Sequence, residues 1–435
     1  MTATPPAAAR RVYDPVVGAS EIAEIGLTIL FLNYLFARIG LTADVAADSW
    51  PWLCLGGLAG LVLPLLYWNG FRVLGLVPVG FSVALLSGLA ALLFGPLPLW
   101  ALVVTVAAYG LVSGSGMRFL CRGFRQTLTR PGTVASVPMM SRVEQWATGV
   151  LRVGVIVQLF AMIAILGRAA RTPEWWTALC TYVFFAYGLA LTAFAWFRLF
   201  RPFFELCVEP ALWLGYRIRG AGPGLPAVPY HGPLLVVANH ACWWDPLFLA
   251  KLLPRPVTPM MTARFFDVWF LRPLMVHTFQ VIRVPEATVR RDAPEIRQAI
   301  AALDAGRCVI LFPEGYLRRK EDQPLRRFGR GVWEILRTRP DTPVLACWIE
   351  GGWGSWASYF NGKPTRNKKP DFRRPIRVGV SEPVVVKAEL LGQHLRTRVA
   401  LMNLVIAART HLGLPPLPAV ELPQRDEAEE LAVDR

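Results

Sequence analysis

Hydrophobic residues are distributed unevenly along this chain of 435 residues. Long apolar runs fill the first 200 positions, whereas short β-branched runs alternate with segments of helical periodicity after position 230. A helix needs about 20 mainly apolar residues to cross the roughly 30 Å of a bilayer's hydrocarbon core. Six runs come near that length, and they cover 24–41, 50–68, 73–95, 97–115, 147–167 and 175–197. The pattern predicts an α-helical transmembrane region of about six spans, followed by an α/β domain.

The segment that joins these two regions has a different composition. Arginine residues are mixed with Phe, Leu and Trp residues over 198–219, which is typical of an amphipathic helix at a membrane interface. Glycine and proline are frequent over 220–229 and indicate a linker. The predicted organisation is an N-terminal tail over 1–20, a multispan membrane region over 21–200, an interfacial helix and linker over 201–229, an α/β domain over 230–415 and an acidic tail over 416–435.

Arginine side chains accumulate in alternate connections between the predicted spans. Arg72, a cluster over 118–142, Arg198 and Arg201 fall on one side, and the other side has fewer basic residues. Because Lys and Arg are enriched in the cytoplasmic loops of membrane proteins, this bias predicts an integral protein of the inner, cytoplasmic membrane. We expect both termini and the α/β domain to lie in the cytoplasm.

Composition agrees with membrane embedding and limits the classes of partner and cofactor that we expect. Hydrophobic residues make up 54% of the chain and charged residues 17%, below the roughly 25% of soluble domains. A formal charge of +16 is compatible with nucleic acid, an anionic membrane surface or phosphorylated substrates. The sequence contains no zinc-finger spacing, P-loop or GxGxxG motif, so we expect no nucleic-acid partner, no metal and no bound cofactor.

The α/β domain is predicted from alternating strand and helix patterns. The predicted strands are 234–238, 257–262, 279–284, 308–312, 344–349 and 376–380. The predicted helices are 246–253, 263–276, 294–305, 326–338 and 388–412.

Two short motifs each follow a predicted strand, at the edge where an open α/β sheet places its ligands. The first contains His240 and, five residues later, Asp245; the second is Phe312-Pro313-Glu314-Gly315. A carboxylate can hold one ring nitrogen of a histidine while the other nitrogen faces the substrate. We therefore predict that His240 is a general base oriented by Asp245, which suits removal of a proton from a hydroxyl that attacks an acyl carbonyl.

Other interpretations of these residues remain open at this point. Cys242 lies two residues from His240, so a Cys-His pair that forms an acyl-enzyme is an alternative. His240 is alternatively a structural histidine of the core, and Glu314 a local cap of the next turn.

Together the two motifs resemble the PlsC-like glycerolipid acyltransferases, the family that includes the 1-acylglycerol-3-phosphate acyltransferases. The resemblance covers residues 230–412. It implies direct transfer of a fatty acyl group from acyl-CoA or acyl carrier protein to a hydroxyl of a lysophospholipid or glycerophosphate, in phospholipid biosynthesis or remodelling. His240 would be the base and Asp245 its partner, and Glu314, Gly315, Arg319 and Arg283 would bind the acceptor.

The chain departs from the family pattern in two places that concern the acceptor. The glycine expected before the branched run that ends near Arg283 is missing, and Tyr316-Leu317-Arg318-Arg319 replaces a typical Thr-Arg-Ser-Arg. A different function, a lipid transporter or flippase with a regulatory acyltransferase-like domain, is the alternative. Within the enzymes, the alternative acceptor is a non-glycerolipid hydroxyl or amine.

Two further segments allow more than one interpretation. The aromatic residues over 265–271 indicate membrane contact, an acyl-chain channel or burial in the core. The basic cluster over 363–374 is either a solvated loop or a site for anionic lipid heads or coenzyme A phosphates. The predicted spans, independently of these two segments, lead us to expect a lipid bilayer as a partner of the chain.

Overall fold

The computed structural model describes residues 43–66, 72, 74–94, 97–108, 110–112, 114–115, 174–229, 232–285 and 293–422. These residues form two compact units, the first ending at Val208 and the second beginning at Glu209. Each unit has its own packed interior.

The first unit is helical over its described residues. Helix α1 covers Ala43–Leu66, α2 covers Leu76–Phe94, and α3 covers Glu174–Gly215 and continues into the second unit. A Cβ added at Gly60 of α1 would lie 2.1 Å from the carbonyl oxygen of Ala107. Helix α1 and the helical segment that contains Ala107 therefore approach each other backbone to backbone. Small residues at such crossings permit this close approach.

The predicted membrane region needs correction. Within the described residues, no helix combines the length and the apolar character that crossing a bilayer requires. This finding overturns the predictions of about six spans and of an integral inner-membrane protein with a cytoplasmic α/β domain. The predicted spans over 24–41 and 147–167 lie outside the described residues.

The physical reason is that a long apolar run does not reveal what covers it, since a helix that is apolar on all sides is also found in a protein core. Phe81 of α2 is 1% exposed, and Leu74, just before the helix, is fully buried. Arg72, interpreted above as a loop cation, is 2% exposed and forms an ion pair of 3.3 Å with Glu205. Its charge therefore stabilises a helix contact and carries no information about orientation.

In the predicted interfacial helix and linker over 201–229, the first part is helical, but the predicted linker contains a strand and a short helix. Helix α3 continues without a break to Gly215, and strand β1 (Tyr216–Ala221) and helix α4 (Gly224–Ala227) follow it. Residues of β1 pair with partners more than 150 positions away, beginning with Tyr216 and Arg374. The pattern of apolar and polar residues within one segment does not indicate which distant strand it pairs with.

The second unit is an α/β domain, as predicted, and its sheet is mixed. Its remaining strands are β2 (Leu234–Ala238), β3 (Val257–Thr262), β4 (Ile282–Val284), β5 (Cys308–Leu311), β6 (Val344–Glu350) and β7 (Arg374–Val380). Its helices are α5 (Asp245–Leu252), α6 (Ala263–Phe266), a π-helix (Leu274–Thr278), α7 (Pro294–Asp304), α8 (Gly331–Thr338), α9 (Ala388–Leu391) and α10 (His394–Thr410).

The sheet order is β1-β7-β6-β2-β5-β3-β4. All neighbouring strands are parallel except β6 and β7, which are antiparallel. The carboxyl ends of β2, β5 and β6 therefore meet at one edge, where the amino end of β7 also lies. This edge carries both motifs predicted to be functional.

The centre of the sheet explains why its strands are recognisable in the sequence. All five residues of β2 are fully buried, and strands covered on both faces read as continuous apolar runs. On one face, Leu235 and Val237 pack in a cluster with Ile335 of α8 and Val405 of α10. Each such side chain contributes about 1.5–3 kcal/mol by leaving water, so the carboxyl edge rests on a stable support.

Candidate active site

The turn after β2 is attached to the neighbouring strand by Asn239. Its side-chain amide donates to the carbonyl oxygen of Ile349 at 3.0 Å, and its side-chain oxygen accepts from the backbone N–H of Ile349 at 2.7 Å. This pair of hydrogen bonds extends the contact between β2 and β6 beyond the strand. His240, the next residue, is therefore held at the carboxyl edge of the sheet.

Asp245, the first residue of α5, is a fully buried carboxylate surrounded by donors. Its Oδ2 accepts from His240 Nδ1 at 2.9 Å, from the backbone N–H of Ala241 at 2.6 Å and from that of Cys242 at 2.9 Å. Donors of this kind stabilise an ionised carboxylate. A carboxylate only accepts, so Nδ1 of His240 carries the proton and Nε2 is the basic nitrogen.

Cys242 adds a fourth contact to the same carboxylate. Its Sγ lies 3.1 Å from Asp245 Oδ1, and the side chain is fully buried. Burial, and next the charge of Asp245, raises the pKa of the Cys242 thiol well above its ordinary value. The thiol is therefore a protonated donor to Asp245, which argues against the alternative of a Cys242 thiolate nucleophile.

The ring of His240 is also positioned by an aromatic neighbour. Phe312 stacks on it with ring centroids 4.1 Å apart and an angle of 18° between the planes. The His240 side chain keeps 19% of its surface exposed. The stacking fixes the plane of the imidazole while the ring stays accessible, as a base that meets a substrate hydroxyl requires.

Glu314 lies inside the domain as a bridge between two backbone segments. Its Oε1 accepts from the backbone N–H of His240 at 2.7 Å, and its Oε2 accepts from the backbone N–H of Arg326 at 2.9 Å. Burial raises the pKa of Glu314 to about 7. Because both oxygens are occupied and the residue is only 6% exposed, its geometry suits holding the His240 backbone better than binding an acceptor.

Two glycines shape the backbone around these side chains. Gly315 has a φ of +71°, the left-handed region that a glycine adopts without strain, and it makes the turn after Glu314. A Cβ at Gly352 would lie 3.1 Å from Asp245 Oδ1 and 3.3 Å from Ala241 Cβ. The segment after β6 therefore closes over the Asp245 carboxylate only because no side chain is present there.

The structure places the two candidate acceptor arginines in different surroundings. Arg283 on β4 is engaged by Asp267: its Nε lies 2.9 Å from Oδ1, and its Nη2 lies 2.5 Å from Oδ2. Arg319 is exposed, and its guanidinium lies 3.5 Å above the ring centroid of Tyr359. Stacking uses the face of the guanidinium and leaves its in-plane N–H groups directed outward. Arg283 thus already has an anionic partner, whereas Arg319 lies against an aromatic ring.

Several residues of the site were not among the predicted ones. Phe312 and Asn239 position His240, Cys242 contacts Asp245, and the backbone N–H of Trp243 donates to the carbonyl oxygen of Ala357 at 3.2 Å. The signal for Asn239 and Phe312 is their place within the two motifs. The contact with Ala357 links segments more than 100 positions apart and has no local signal.

In the described part of the chain, no group of three or more His, Cys, Asp and Glu side chains is arranged to hold a metal ion.

Comparisons with known proteins find two similarities. The family model described as Acyltransferase matches residues 224–350, which include His240, Asp245 and Glu314. The crystal structure of the 1-acyl-sn-glycerophosphate (LPA) acyltransferase PlsC from Thermotoga maritima is similar at 18% sequence identity, with a TM-score of 0.38 over 51% of this chain and 83% of that chain. No curated protein matches the chain. Residues 224–350 are therefore similar to the acyltransferase family.

Proposed function

We propose that the chain transfers a fatty acyl group from the thioester of acyl-CoA or acyl carrier protein to a hydroxyl of a lysophospholipid or glycerophosphate. The observation that carries the proposal is the 2.9 Å contact between His240 Nδ1 and the buried Asp245 Oδ2. It orients a basic Nε2 at an accessible edge of the sheet, and no nucleophilic side chain is needed to complete the reaction.

The proposed step is a direct transfer with both substrates bound. His240 Nε2 takes the proton of the acceptor hydroxyl as its oxygen attacks the thioester carbonyl. The C–O bond forms, the C–S bond breaks, and the departing thiolate takes the proton from the imidazolium. Asp245 stabilises the positive charge that appears on the ring between these two transfers.

The different surroundings of Arg319 and Arg283 support a proposal for how the acceptor binds. We infer that Arg319 holds the acceptor phosphate, because its N–H groups lie in the plane left open by stacking on Tyr359. Arg283 has a supporting role, since its guanidinium is already bound to Asp267. Gly315 follows Glu314 directly and precedes Arg319 by four residues. Because it has no side chain, the backbone there can pass close to the proposed acceptor.

A panel assay tests the proposed reaction. Purified protein is incubated with radiolabelled acyl-CoA and, separately, with glycerol 3-phosphate and lysophospholipids of different head groups. We expect one class of acceptor to be acylated, and no acylated product from any acceptor would contradict the proposal. Replacing the donor with acyl carrier protein carrying the same chain identifies the preferred carrier.

The two arginines provide matched variants for the acceptor site. Arg319→Ala should raise the KM for the phosphate-containing acceptor at least about tenfold, because a charge-assisted bidentate contact is worth about 1.5–3 kcal/mol. Arg283→Ala should change that KM much less. The reverse order of effects would transfer the phosphate contact to Arg283.

A further inference from the structure

A group of exposed apolar side chains lies in the connection between β3 and β4. We call it the aromatic patch, and it consists of Phe265, Trp269, Phe270 and Val276, which are 38%, 83%, 61% and 39% exposed. Large rings exposed side by side are uncommon on the surface of an isolated domain and usually mark a surface for another partner.

The aromatic patch is carried by ordered backbone. Helix α6 anchors it through Ala263 and Phe266, which are 8% and 7% exposed. The backbone N–H of Leu271 donates to the carbonyl oxygen of Val268 at 3.0 Å, and the π-helix Leu274–Thr278 follows. The exposed rings of Trp269 and Phe270 also contact each other edge to face at 5.7 Å. The rings are therefore held outward by the fold.

The aromatic patch is continuous with the candidate active site. The ring of Phe265 lies 5.1 Å from that of Trp243, in an edge-to-face contact. Trp243 belongs to the turn between His240 and Asp245. An apolar molecule in contact with the patch would therefore lie next to the segment that carries the base.

The charges around the aromatic patch identify the kind of partner. Arg264 and Arg272 are exposed, and within the described residues neither forms an ion pair. The one acidic residue of the segment, Asp267, is already bound by Arg283. Rings flanked by unbalanced cations match the interfacial layer of an anionic bilayer, where Trp is favoured and each Arg contributes about 1 kcal/mol.

We propose that the aromatic patch docks the acyltransferase domain on the surface of an anionic phospholipid bilayer, with Trp269 and Phe270 inserted among the head groups. The inference rests in part on the proposed function, because a lysophospholipid acceptor resides in such a bilayer. Docking would bring its hydroxyl to the turn of His240 without the lipid leaving the membrane.

Photocrosslinking tests the contact itself, independently of activity. The full chain, with p-benzoyl-phenylalanine in place of Trp269, is irradiated with vesicles of phosphatidylglycerol and phosphatidylcholine that contain a radiolabelled phospholipid. The control places the same group at Val385, which is 53% exposed. Its neighbour Val384 pairs with Val344 at the start of β6, the end of the sheet away from His240. We expect labelled lipid on position 269 and little on position 385. Equal labelling, or none at 269, would overturn the proposal.

Activity with two forms of the acceptor separates docking from catalysis. Trp269→Ala/Phe270→Ala should lose at least about tenfold of its apparent affinity for an acceptor in anionic vesicles. It should keep its rate on a short-chain acceptor dissolved in water, and Val384→Ala/Val385→Ala should behave as the wild type in both assays. Equal losses on both acceptors would overturn the proposal. A wild-type protein inactive on both acceptors, but crosslinked at 269, would contradict the proposed function and leave the docking surface supported.

Discussion

Two buried carboxylates lie on either side of His240, and their surroundings differ. Asp245 accepts from the His240 ring, from two backbone N–H groups and from the Cys242 thiol. Glu314 accepts from two backbone N–H groups, and its burial raises its pKa to about 7. The two backbone donors around Glu314 lower its pKa but do not fully offset the loss of water on burial.

The role of each carboxylate depends on which part of His240 it contacts. Asp245 meets the ring, so it acts on the tautomer and charge of the base. Glu314 meets the backbone of the same residue, so it acts on where the base is held. Loss of Asp245 should therefore lower the reaction rate at every pH. Loss of Glu314 should remove the part of the rate's pH dependence that comes from titration of Glu314.

Removing the imidazole of His240 tests whether the two carboxylates hold a general base. His240→Ala should lower kcat at least about 10³-fold, since general base catalysis contributes about 10²–10⁴-fold. The variant should still fold and show a cooperative thermal unfolding transition, because the backbone contacts of Glu314 and Asp245 do not need the imidazole. The measurement is acyl transfer by purified variant, and turnover within tenfold of the wild type would show that neither carboxylate serves a base at this position.

Replacing the carboxylate that meets the ring should have the next largest effect. Asp245→Asn should lower kcat about 10²-fold or more, because an amide presents only one acceptor oxygen and cannot stabilise an imidazolium by charge. Asp371→Asn is a control that changes a carboxylate bound to Tyr216 and to the backbone of Trp356, away from the ring. A pH–rate profile that is unchanged in shape and height for Asp245→Asn would contradict the assigned role.

Replacing the carboxylate that meets the backbone should affect activity less. Glu314→Gln keeps one acceptor oxygen and leaves one buried N–H unsatisfied, at a cost of about 1–3 kcal/mol, so we expect roughly a tenfold loss near pH 8. Below pH 7 the wild type also loses its carboxylate by protonation, so the two proteins should converge in rate. Divergence as the pH falls would contradict the pKa assigned to Glu314.

Glu314 also predicts how stability changes with pH. Its folded pKa of about 7 lies above the usual 4.5, so the folded state binds the proton more tightly. This stabilisation is complete below pH 4.5 and is lost as the pH rises to about 7, an effect on the order of 3 kcal/mol. The free energy of unfolding of Glu314→Gln, relative to wild type, should therefore rise between about pH 5 and pH 8. A constant difference would show that Glu314 does not titrate in this range.

The smallest effect is expected at the thiol that contacts Asp245. Cys242→Ser keeps a donor of similar size and should stay within about threefold of the wild-type rate, whereas Cys242→Ala should lose roughly threefold to tenfold, since a hydrogen bond contributes about 0.5–1.5 kcal/mol net and a thiol is a weak donor. The readout is the pH–rate profile of both variants. Loss of all activity in Cys242→Ser would favour the nucleophilic alternative.

The strands of the α/β domain were predictable because their burial leaves apolar runs in the sequence. The predicted run over 234–238 coincides with β2, whose residues are all buried. Strand β1 was not predictable, since it pairs with β7 far along the chain. The predicted helix over 263–276 is interrupted in the structure: α6 ends at Phe266 and the π-helix begins at Leu274. Its crowded rings are mostly exposed and do not form a buried face.

The site was predictable only as far as its contacts are local. A spacing of five residues was sufficient to anticipate the contact between His240 and Asp245, and two motifs that follow strands were sufficient to expect Glu314 nearby. The occupation of Arg283 by Asp267 depends on how the β3–β4 connection folds back. The apolar runs before 200 predicted about six spans, but no described helix combines the length and apolar character of a span, so that part of the prediction was wrong.

Direct transfer, with His240 as the base, requires that the protein itself is never acylated. Wild-type protein is incubated with acyl-CoA in the absence of acceptor, and its intact mass is measured; acceptor is then added to the remainder of the sample. We expect an unchanged protein mass, followed by acylated lipid once acceptor is present. An increase in mass by one acyl group that disappears as the product forms would show an acyl-enzyme and exclude direct transfer.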